Sequence, residues 1–399
     1  MIIEASSGGG GHGRIRLGMV GGGQGAFIGA VHRAAARIDD QFVLTAGALA
    51  SDSARAKASA RELGIADDRA YASFEEMAKA EGARPDGIEV VSIVTPNHLH
   101  APVAKAFLEA GIHVICDKPL TRSLAEAEEL VELVRKTGKV FVVTHNYTGY
   151  PMVRQARAMV ANGDLGEIRL VQAEYLQDWL TERLEASGHK QAAWRTDPTR
   201  SGAGGCIGDI GTHAYNLACF VTGLELEELL AQLSTFVGGR RLDDDVQILL
   251  KWKGGAKGML WASQVAVGNE NGLTLRVYGT KGGLEWAQEN PNYLWFTRYG
   301  QPRQLLTRGG AGALVEADRV TRVPAGHPEG YLEGFATIYA EAARAIRAAL
   351  AGKAPDPAVI FPTVEDGLAG MKFIDAAVNS SASNGTWVRM TQMPTLLLS

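Results

Sequence analysis

The feature that most constrains this fold is a glycine run, Gly21-Gly22-Gly23-Gln24-Gly25, placed directly after the apolar segment 15–20. A strand that ends in closely spaced glycines and opens a helix is the start of a dinucleotide-binding unit. Gly21 permits the tight turn, and Gly23 lets backbone approach a pyrophosphate. The helix that follows offers free N–H groups and a positive dipole end to phosphate oxygens. Gly21-x-Gly23-x-x-Ala26 fits the G-x-G-x-x-A form, with Gln24 and Gly25 inside the loop. Gly25 and Gly29 offer a second, looser register. The chain holds 48 glycines, so the run alone also reads as an ordinary glycine-rich turn.

The segments beyond the run narrow the choice. Short, β-branched apolar segments recur at 15–20, 42–49, 90–94, 112–116 and 140–144. They are continuous rather than alternating, which suits strands buried on both faces. Helical segments rich in Ala, Arg, Glu and Lys lie between them, and Ser73 with Glu76 and Ser123 with Glu126 read as capping boxes. Strand–helix alternation of this kind predicts a doubly wound parallel sheet. After about Tyr150 the pattern changes. A helix at 152–161 is followed by apolar or alternating runs at 168–175, 232–236, 246–252, 256–267 and 273–278. Gly254-Gly255, Asn271-Gly272 and Lys281-Gly282-Gly283 punctuate them as turns. One helix, about 209–222, interrupts the strands, and helices at 329–350 and 364–379 close the chain. The fold class expected is therefore α/β. A Rossmann domain at 14–149 precedes an α/β domain at 150–399 with a large, open, mostly antiparallel sheet, and the last helices pack back on the first domain. Residues 1–13 read as a flexible tail, with His12 solvated.

Bulk properties set outer limits. A chain of 399 residues, 46% hydrophobic and 21% charged, is ordinary globular material for about two domains. A net charge of -4 leaves no basic excess for phosphate neutralisation, so no nucleic-acid partner is expected. Cys116, Cys206 and Cys219 are odd in number and lack metal-ligand spacing, which fits a reducing cytoplasm. No apolar run approaches the roughly 18 residues of a membrane span. No secretory signal is evident, and no metal is expected.

Candidate site residues sit at strand ends. An acid that binds the ribose of NAD is expected after the second strand, where the chain reads Ala50-Ser51-Asp52-Ser53-Ala54-Arg55. Asp52 falls slightly late, and Ser51 with Arg55 suits a 2′-phosphate. The cofactor expected is NAD or NADP, with this run favouring NADP. Asp52 or Ser53 fits equally well as a helix cap. Thr95-Pro96-Asn97 leaves the next strand at its carboxyl end, where ligands of such sheets bind, so these residues face the cofactor. Asn97 also suits a helix-entry cap. His98 and His100 read as loop or core residues, with His100 close enough to be counted on the cofactor side. Asp117-Lys118-Pro119 ends a further strand. It brings an ammonium to the same cleft, and Pro119 is a candidate cis proline.

Three motifs in order, Thr95-Pro96-Asn97, Asp117-Lys118-Pro119 and Gly202-Ala203-Gly204-Gly205-Cys206-Ile207-Gly208-Asp209-Ile210-Gly211-Thr212-His213, carry a resemblance. Over residues 15–390 the chain resembles the glucose–fructose oxidoreductase / inositol dehydrogenase / MocA family. The resemblance implies an NAD(P)-dependent dehydrogenase whose catalytic set is Lys118, Asp209 and His213. Local chemistry agrees with it. Asp209 and His213 stand four apart on a predicted helix and share a side. His213, with a pKa near neutrality, suits a base for a hydroxyl proton. Lys118 suits an oxygen that gains charge. Asp209 would bind substrate or set the histidine tautomer. Asp117 stands where the family more often has Glu, and Asn216 where it often has Asp. Candidate substrate residues are His145, Asn146, Tyr147, Arg154, Trp194 and Arg195, with the loop 327–331 as a late addition. The expected reaction interconverts a secondary hydroxyl and a ketone on a sugar, glycoside or cyclitol. The alternatives are an NAD-dependent redox-assisted glycosidase and a non-catalytic NADP-sensing regulator. Retention of Lys118, Asp209 and His213 together argues against the regulator. A homo-oligomer is expected through the sheet face away from the site.

Overall fold

A computed structural model describes residues 13–390. Residues 1–12 of the tail expected at 1–13, with His12, lie outside the described residues. The first half runs β1 (Ile15–Gly21), α1 (Phe27–Ile38), β2 (Phe42–Ala48), α2 (Ser53–Glu62), α3 (Phe74–Ala83), β3 (Val90–Val94), α4 (His100–Glu109), β4 (His113–Cys116), α5 (Leu124–Thr137) and β5 (Phe141–Val143). The five strands form one parallel sheet in the order β2-β1-β3-β4-β5. β3 and β4 are buried at every residue, as their unbroken apolar runs require. The two capping serines accept the N–H three residues on, Ser73 from Glu76 and Ser123 from Glu126. Each glutamate reaches back one residue further than the reciprocal box predicts, to the N–H of Ala72 and Arg122.

The sheet order fixes where a ligand can sit. The chain leaves β1 toward β2 on one side and returns through β3 on the other, so direction reverses between β1 and β3. Gly21 and Val94 are paired there. The crevice outside those two strand ends is the switch point of a doubly wound sheet.

The second half runs α6 (Pro151–Ala161), β6 (Ile168–Leu176), α7 (Lys190–Arg195), α8 (Pro198–Ser201), α9 (Thr212–Thr222), β7 (Leu226–Ser234), β8 (Asp245–Trp252), β9 (Lys257–Ser263), β10 (Gly272–Gly279), β11 (Gly282–Ala287), β12 (Tyr293–Arg298), β13 (Gln304–Thr307), α10 (Val315–Asp318), α11 (Tyr331–Leu350), α12 (Val364–Ala382) and β14 (Val388–Arg389). Nine strands pair in the order β13-β12-β11-β10-β6-β9-β8-β7-β14. All neighbours are antiparallel except β6 and β9. β7 starts six residues earlier than the apolar pattern marks, because Leu226–Ala231 is held in register by β8 despite its glutamates. β11 to β13 are further strands that the pattern does not mark.

α11 packs on the parallel sheet. Phe335, Ile338 and Tyr339 join Ile15, Leu17, Val31 and Val90 in one core cluster. Full burial of such side chains contributes about 1.5–3 kcal/mol each. Tyr339 Oη also bonds His32 Nδ1 at 2.8 Å and Ser92 Oγ at 2.8 Å. α12 packs against both α5 and β7. The opposite face of the nine-stranded sheet exposes Leu170, Leu249, Met259, Trp261, Tyr293, Trp295 and Leu305. Cys116 and Cys206 are buried, and none of the three cysteines is in a disulfide. Among the described residues, no helix is long and apolar enough to cross a membrane.

Candidate active site

The glycine loop is built for close backbone approach. Gly21 and Gly22 have φ of 78° and 71°, and a Cβ on Gly21 would lie 2.7 Å from Val94 O. A Cβ on Gly23 would lie 2.7 Å from Leu49 O, and Gly23 N–H donates to that same oxygen at 3.1 Å. The role of the third fingerprint residue falls to Gly29 rather than Ala26. A Cβ on Gly29 would stand 2.4 Å from Gly22 Cα, so the glycine lets α1 touch the end of β1. Ala26 caps α1 without a side-chain hydrogen bond, and nothing lies within 4 Å of the Cβ position of Gly25. A helix start with no side-chain cap, bordered by glycines, fits a pyrophosphate.

Gln24, inside the loop, is tied to α2. Its N–H donates to Ser59 Oγ at 3.1 Å and its side chain to Glu62 at 2.9 Å, so both are engaged with α2. Asp52 is the N-cap of α2, accepting the Arg55 N–H at 2.8 Å, while Ser51 and Arg55 are exposed. His100 is corrected to a structural role: its ring nitrogens lie 2.8 Å from Pro119 O and 2.9 Å from Thr95 O, which ties two strand-end loops together. Between those loops, Thr95 Oγ1 and Asn97 Oδ1 are buried without a hydrogen-bond partner. Asn97 Nδ2 donates to Ser201 O at 2.9 Å.

Lys118 follows β4 at the same edge of the sheet and precedes Pro119 through a cis peptide bond. Asp117 braces the turn, its Oδ1 accepting the Lys118 N–H at 2.9 Å and the Thr144 hydroxyl at 3.0 Å. Lys118 Nζ donates to Asp209 Oδ1 at 2.9 Å and also to the Asp209 carbonyl. The other carboxylate oxygen of Asp209 accepts from Gln264 Nε2 at 2.8 Å and lies 3.2 Å from Arg195 Nε. Burial pushes the Asp209 carboxyl up, but the Lys118 and Arg195 charges overcome this and hold it well below the usual carboxylate range. Arg195 in turn stacks 4.3 Å over the ring of Trp194, its neighbour in α7.

The helix carrying Asp209 and His213 is not a plain α-helix. Residues Ile207–Gly211 form a widened π turn before α9 begins. Such turns recur at functional sites. His213 lies under aromatic neighbours, its ring centroid 4.8 Å from Tyr147 and 5.4 Å from His145. Burial pushes its pKa well below the usual imidazole value, and nearby Lys118 adds to the shift. It is therefore neutral at pH 7, not poised near neutrality. His145 is also neutral, pushed down by burial to about 3. Four buried polar atoms around this pair have no hydrogen-bond partner: His145 Nδ1, Asn146 Nδ2, His213 Nδ1 and Asn216 Oδ1.

Arg154 is a correction. Its guanidinium is buried, donates to Ile360 O at 2.8 Å and lies 3.8 Å from Glu341, so it anchors α6 to the chain before α12. Tyr147 Oη is bonded to Tyr175 Oη at 2.6 Å, and Tyr175 donates to Asn271 Oδ1 at 2.7 Å. Of the loop 327–331, the Arg308 guanidinium holds the His327 carbonyl. The residues that sequence reasoning missed are Gln264 and Asp243. Gln264 comes from the far end of β9, and Asp243 belongs to the run Asp243-Asp244-Asp245 just before and into β8. A triple-acid run beside an apolar strand was the available signal for Asp243. Nothing local marked Gln264.

The buried neutral rings have a consequence for stability. His32 and His113 are pushed by burial to about 4, and His145 to about 3. In the unfolded chain each takes a proton near pH 6.5, which the folded state refuses. Their contribution is thus complete above pH 6.5 and is lost as pH falls toward the folded values, by up to about 1.4 kcal/mol per unit per ring. Asp243, raised by burial to about 6 from 3.8, offsets one ring's slope over that window. Urea unfolding midpoints are expected to fall steadily from pH 6.5 to 4. A flat profile would show that these rings are hydrated.

A parallel sheet with a glycine-built loop at its switch point and a strand-end lysine, joined to a second domain whose π turn and α9 deliver an aspartate to that lysine and a buried histidine beside it, defines a nicotinamide-dependent oxidoreductase architecture. Residues 15–156 match the family model described as oxidoreductase family, NAD-binding Rossmann fold, and residues 153–285 match the GFO/IDH/MocA C-terminal domain. The chain belongs to the Gfo/Idh/MocA oxidoreductase family. An oxidoreductase of Sinorhizobium meliloti is similar at 59% identity and a TM-score of 0.86, over 94% of this chain and 100% of that one. An inositol dehydrogenase homolog of Azotobacter vinelandii, solved with NADH and myo-inositol, is similar at 37% identity and a TM-score of 0.88, over 94% and 98%. YfiI of Bacillus subtilis (strain 168), an uncharacterized oxidoreductase, is 36% identical over 382 residues, 94% of this chain and 96% of its own.

Proposed function

We propose that this oxidoreductase interconverts a secondary hydroxyl and a ketone on a cyclitol or sugar, beside a nicotinamide held at the β1–β3 crevice. The observation that carries the reading is the convergence of Lys118, Asp209 and His213 with the unpartnered polar atoms of His145, Asn146 and Asn216. A buried polar atom without a partner costs about 1–3 kcal/mol, and a ligand carrying several hydroxyls satisfies many such atoms at once. The myo-inositol of the Azotobacter relative belongs to the same chemical class.

In this reading Gly21, Gly23, Gly25 and the start of α1 hold the pyrophosphate, and Thr95 and Asn97 line the path toward the reacting end. When bound, the nicotinamide supplies hydride exchange at carbon. Lys118 donates to the substrate oxygen and stabilises it as charge develops. Neutral His213 takes the hydroxyl proton. Its low pKa keeps the ring unprotonated and ready across the physiological range. Asp209 keeps Lys118 aimed by two hydrogen bonds, and Arg195 on its Trp194 platform closes the side of the site. At the ribose end, Asp52 is committed to capping while Ser51 and Arg55 are exposed. That pairing supports acceptance of NADP as well as NAD.

The test titrates NADH and NADPH by fluorescence, then follows cofactor reduction over a panel of inositols, aldoses and glycosides. Turnover on at least one polyol is expected. Sugar release from a glycoside without net cofactor reduction would transfer the reading to a redox-assisted glycosidase. The apolar face of the nine-stranded sheet supports a homo-oligomer. Light scattering should give a dimer or larger, and Trp295→Glu with Met259→Glu should shift it to monomer. A monomeric wild type would end that expectation.

A further inference from the structure

We propose that Asp243 is a positioning residue for the Lys118–Asp209 pair. It lies two residues before β8 and is buried. Its Oδ1 accepts the Gly205 N–H at 2.6 Å and its Oδ2 accepts the Ile207 N–H at 2.8 Å. Its carbonyl accepts the Cys206 N–H at 2.9 Å. One residue thus satisfies three successive amides where the helical run begins.

Those amides are the donors that a helix start leaves without intrahelical partners. The π turn has no side-chain cap of its own at Cys206, so Asp243 acts as a cap supplied from another element. A carboxylate suits the place because it offers two acceptor oxygens and a negative charge to the positive end of a helix. The contact is close enough to demand glycine: a Cβ on Gly205 would lie 2.3 Å from Asp243 O. The glycine-rich lead-in of this motif therefore serves the cap as well as any ligand.

The chain of contacts runs directly to the site. Asp209 N–H donates to Gly205 O at 2.9 Å, so the residue held by Asp243 is also the first backbone anchor of Asp209. Asp209 then presents both its carbonyl and Oδ1 to Lys118 Nζ. If the clamp slackens, the carbonyl and the carboxylate move together and Lys118 loses its aim. Misplacement of about 1 Å from outside the reacting groups can cost roughly a hundredfold in rate. Asp244 plays no part in this clamp, because its oxygens accept from Phe236 and Val237 N–H and from Arg240.

The inference rests on the roles proposed above for Lys118 and Asp209, and the test separates the two. Asp243→Asn keeps the shape but replaces one acceptor oxygen by a donor, so one amide loses its partner. The activity-independent measurement is acylation of Lys118 by an N-hydroxysuccinimide ester, followed by peptide mass spectrometry. Lys118 should react slowly in wild type, fast in Asp209→Asn, and nearly as fast in Asp243→Asn. In turnover, Asp243→Asn should lower kcat by about 10- to 100-fold with NADH affinity unchanged. In a Lys118→Ala background the same change should cost almost nothing, because the two act through one contact. Acylation at the wild-type rate, or a full additive loss in the double variant, would overturn the proposal. Asp243→Ser, which keeps one acceptor in a smaller side chain, serves if Asp243→Asn does not fold. If wild type turns over no polyol, the functional reading fails while the acylation result still decides the positioning role.

Discussion

Lys118→Ala is expected to lower kcat on the best polyol by about 10²- to 10⁴-fold while the protein stays folded. The ammonium lies at the end of β4 and is committed to Asp209 by two hydrogen bonds. Its removal leaves Asp209 with Gln264 and Arg195, so the buried carboxylate keeps partners and the thermal midpoint should move little. A loss confined to kcat and kcat/KM, with NADH binding intact, is the signature of an interaction made in the transition state. His213→Ala should fall in the same range, and the double variant should be no worse than the weaker single. In the proposed mechanism these two residues act on one oxygen and its proton. Steady-state kinetics on purified, folded protein decides the matter, and a Lys118→Ala enzyme with wild-type kcat would remove the residue from the mechanism.

Gly29→Ala is expected to raise the Kd for NADH by about a hundredfold, or about 2.8 kcal/mol. The new Cβ would meet Gly22 Cα at 2.4 Å and Gly22 O at 2.5 Å. Both are backbone atoms, so no rotamer change relieves the contact and α1 must move off the loop. Arg33 resists that movement, since its guanidinium holds Gly22 O at 2.6 Å. Overpacking of this kind costs about 1–3 kcal/mol, so a fall in Tm should accompany the lost affinity. Gly25→Ala is the control for the fall in Tm alone, because Gly25 itself belongs to the proposed pyrophosphate loop. Its Cβ would meet nothing within 4 Å, so only the left-handed backbone at φ of 76° opposes it, at about 1–2 kcal/mol. A Gly29→Ala protein that binds NADH within threefold of wild type would break the link between helix packing and the phosphate site.

The parallel sheet was legible because its strands are buried on both faces. Segments such as Val90–Val94 then carry an uninterrupted apolar signal that needs no knowledge of their neighbours. The second sheet was less legible. Its strands bury one face, and β7 places glutamates on the other, so Leu226–Ala231 resembles a helix until β8 fixes it. β11 to β13 are only four to six residues long, too short for their periodicity to stand out before pairing fixes them. Among the site residues, Lys118, Asp209 and His213 are written in compact motifs at element ends. Arg154 misled because an arginine at a helix start looks the same whether it meets substrate or, as here, carbonyls and Glu341.

The glycine run, the strand-end lysine and the Asp-x-x-x-His spacing fixed by themselves the kind of cofactor site and the groups available for proton and charge. These are local facts: backbone that must bend, helix ends that must be capped, side chains four apart. Tertiary structure decided the rest. It chose Gly29 over Ala26 for the close helix contact, turned His100 into a tie between loops, and widened the helix at Asp209 into a π turn. It also brought Gln264 and Asp243 from the far sheet to hold that turn. No periodicity encodes such contacts, because they depend on which strand ends meet across the crevice. Burial then set the charges, leaving His213 neutral and Asp209 ionised, a result of solvent exclusion and neighbouring cations that no residue carries alone.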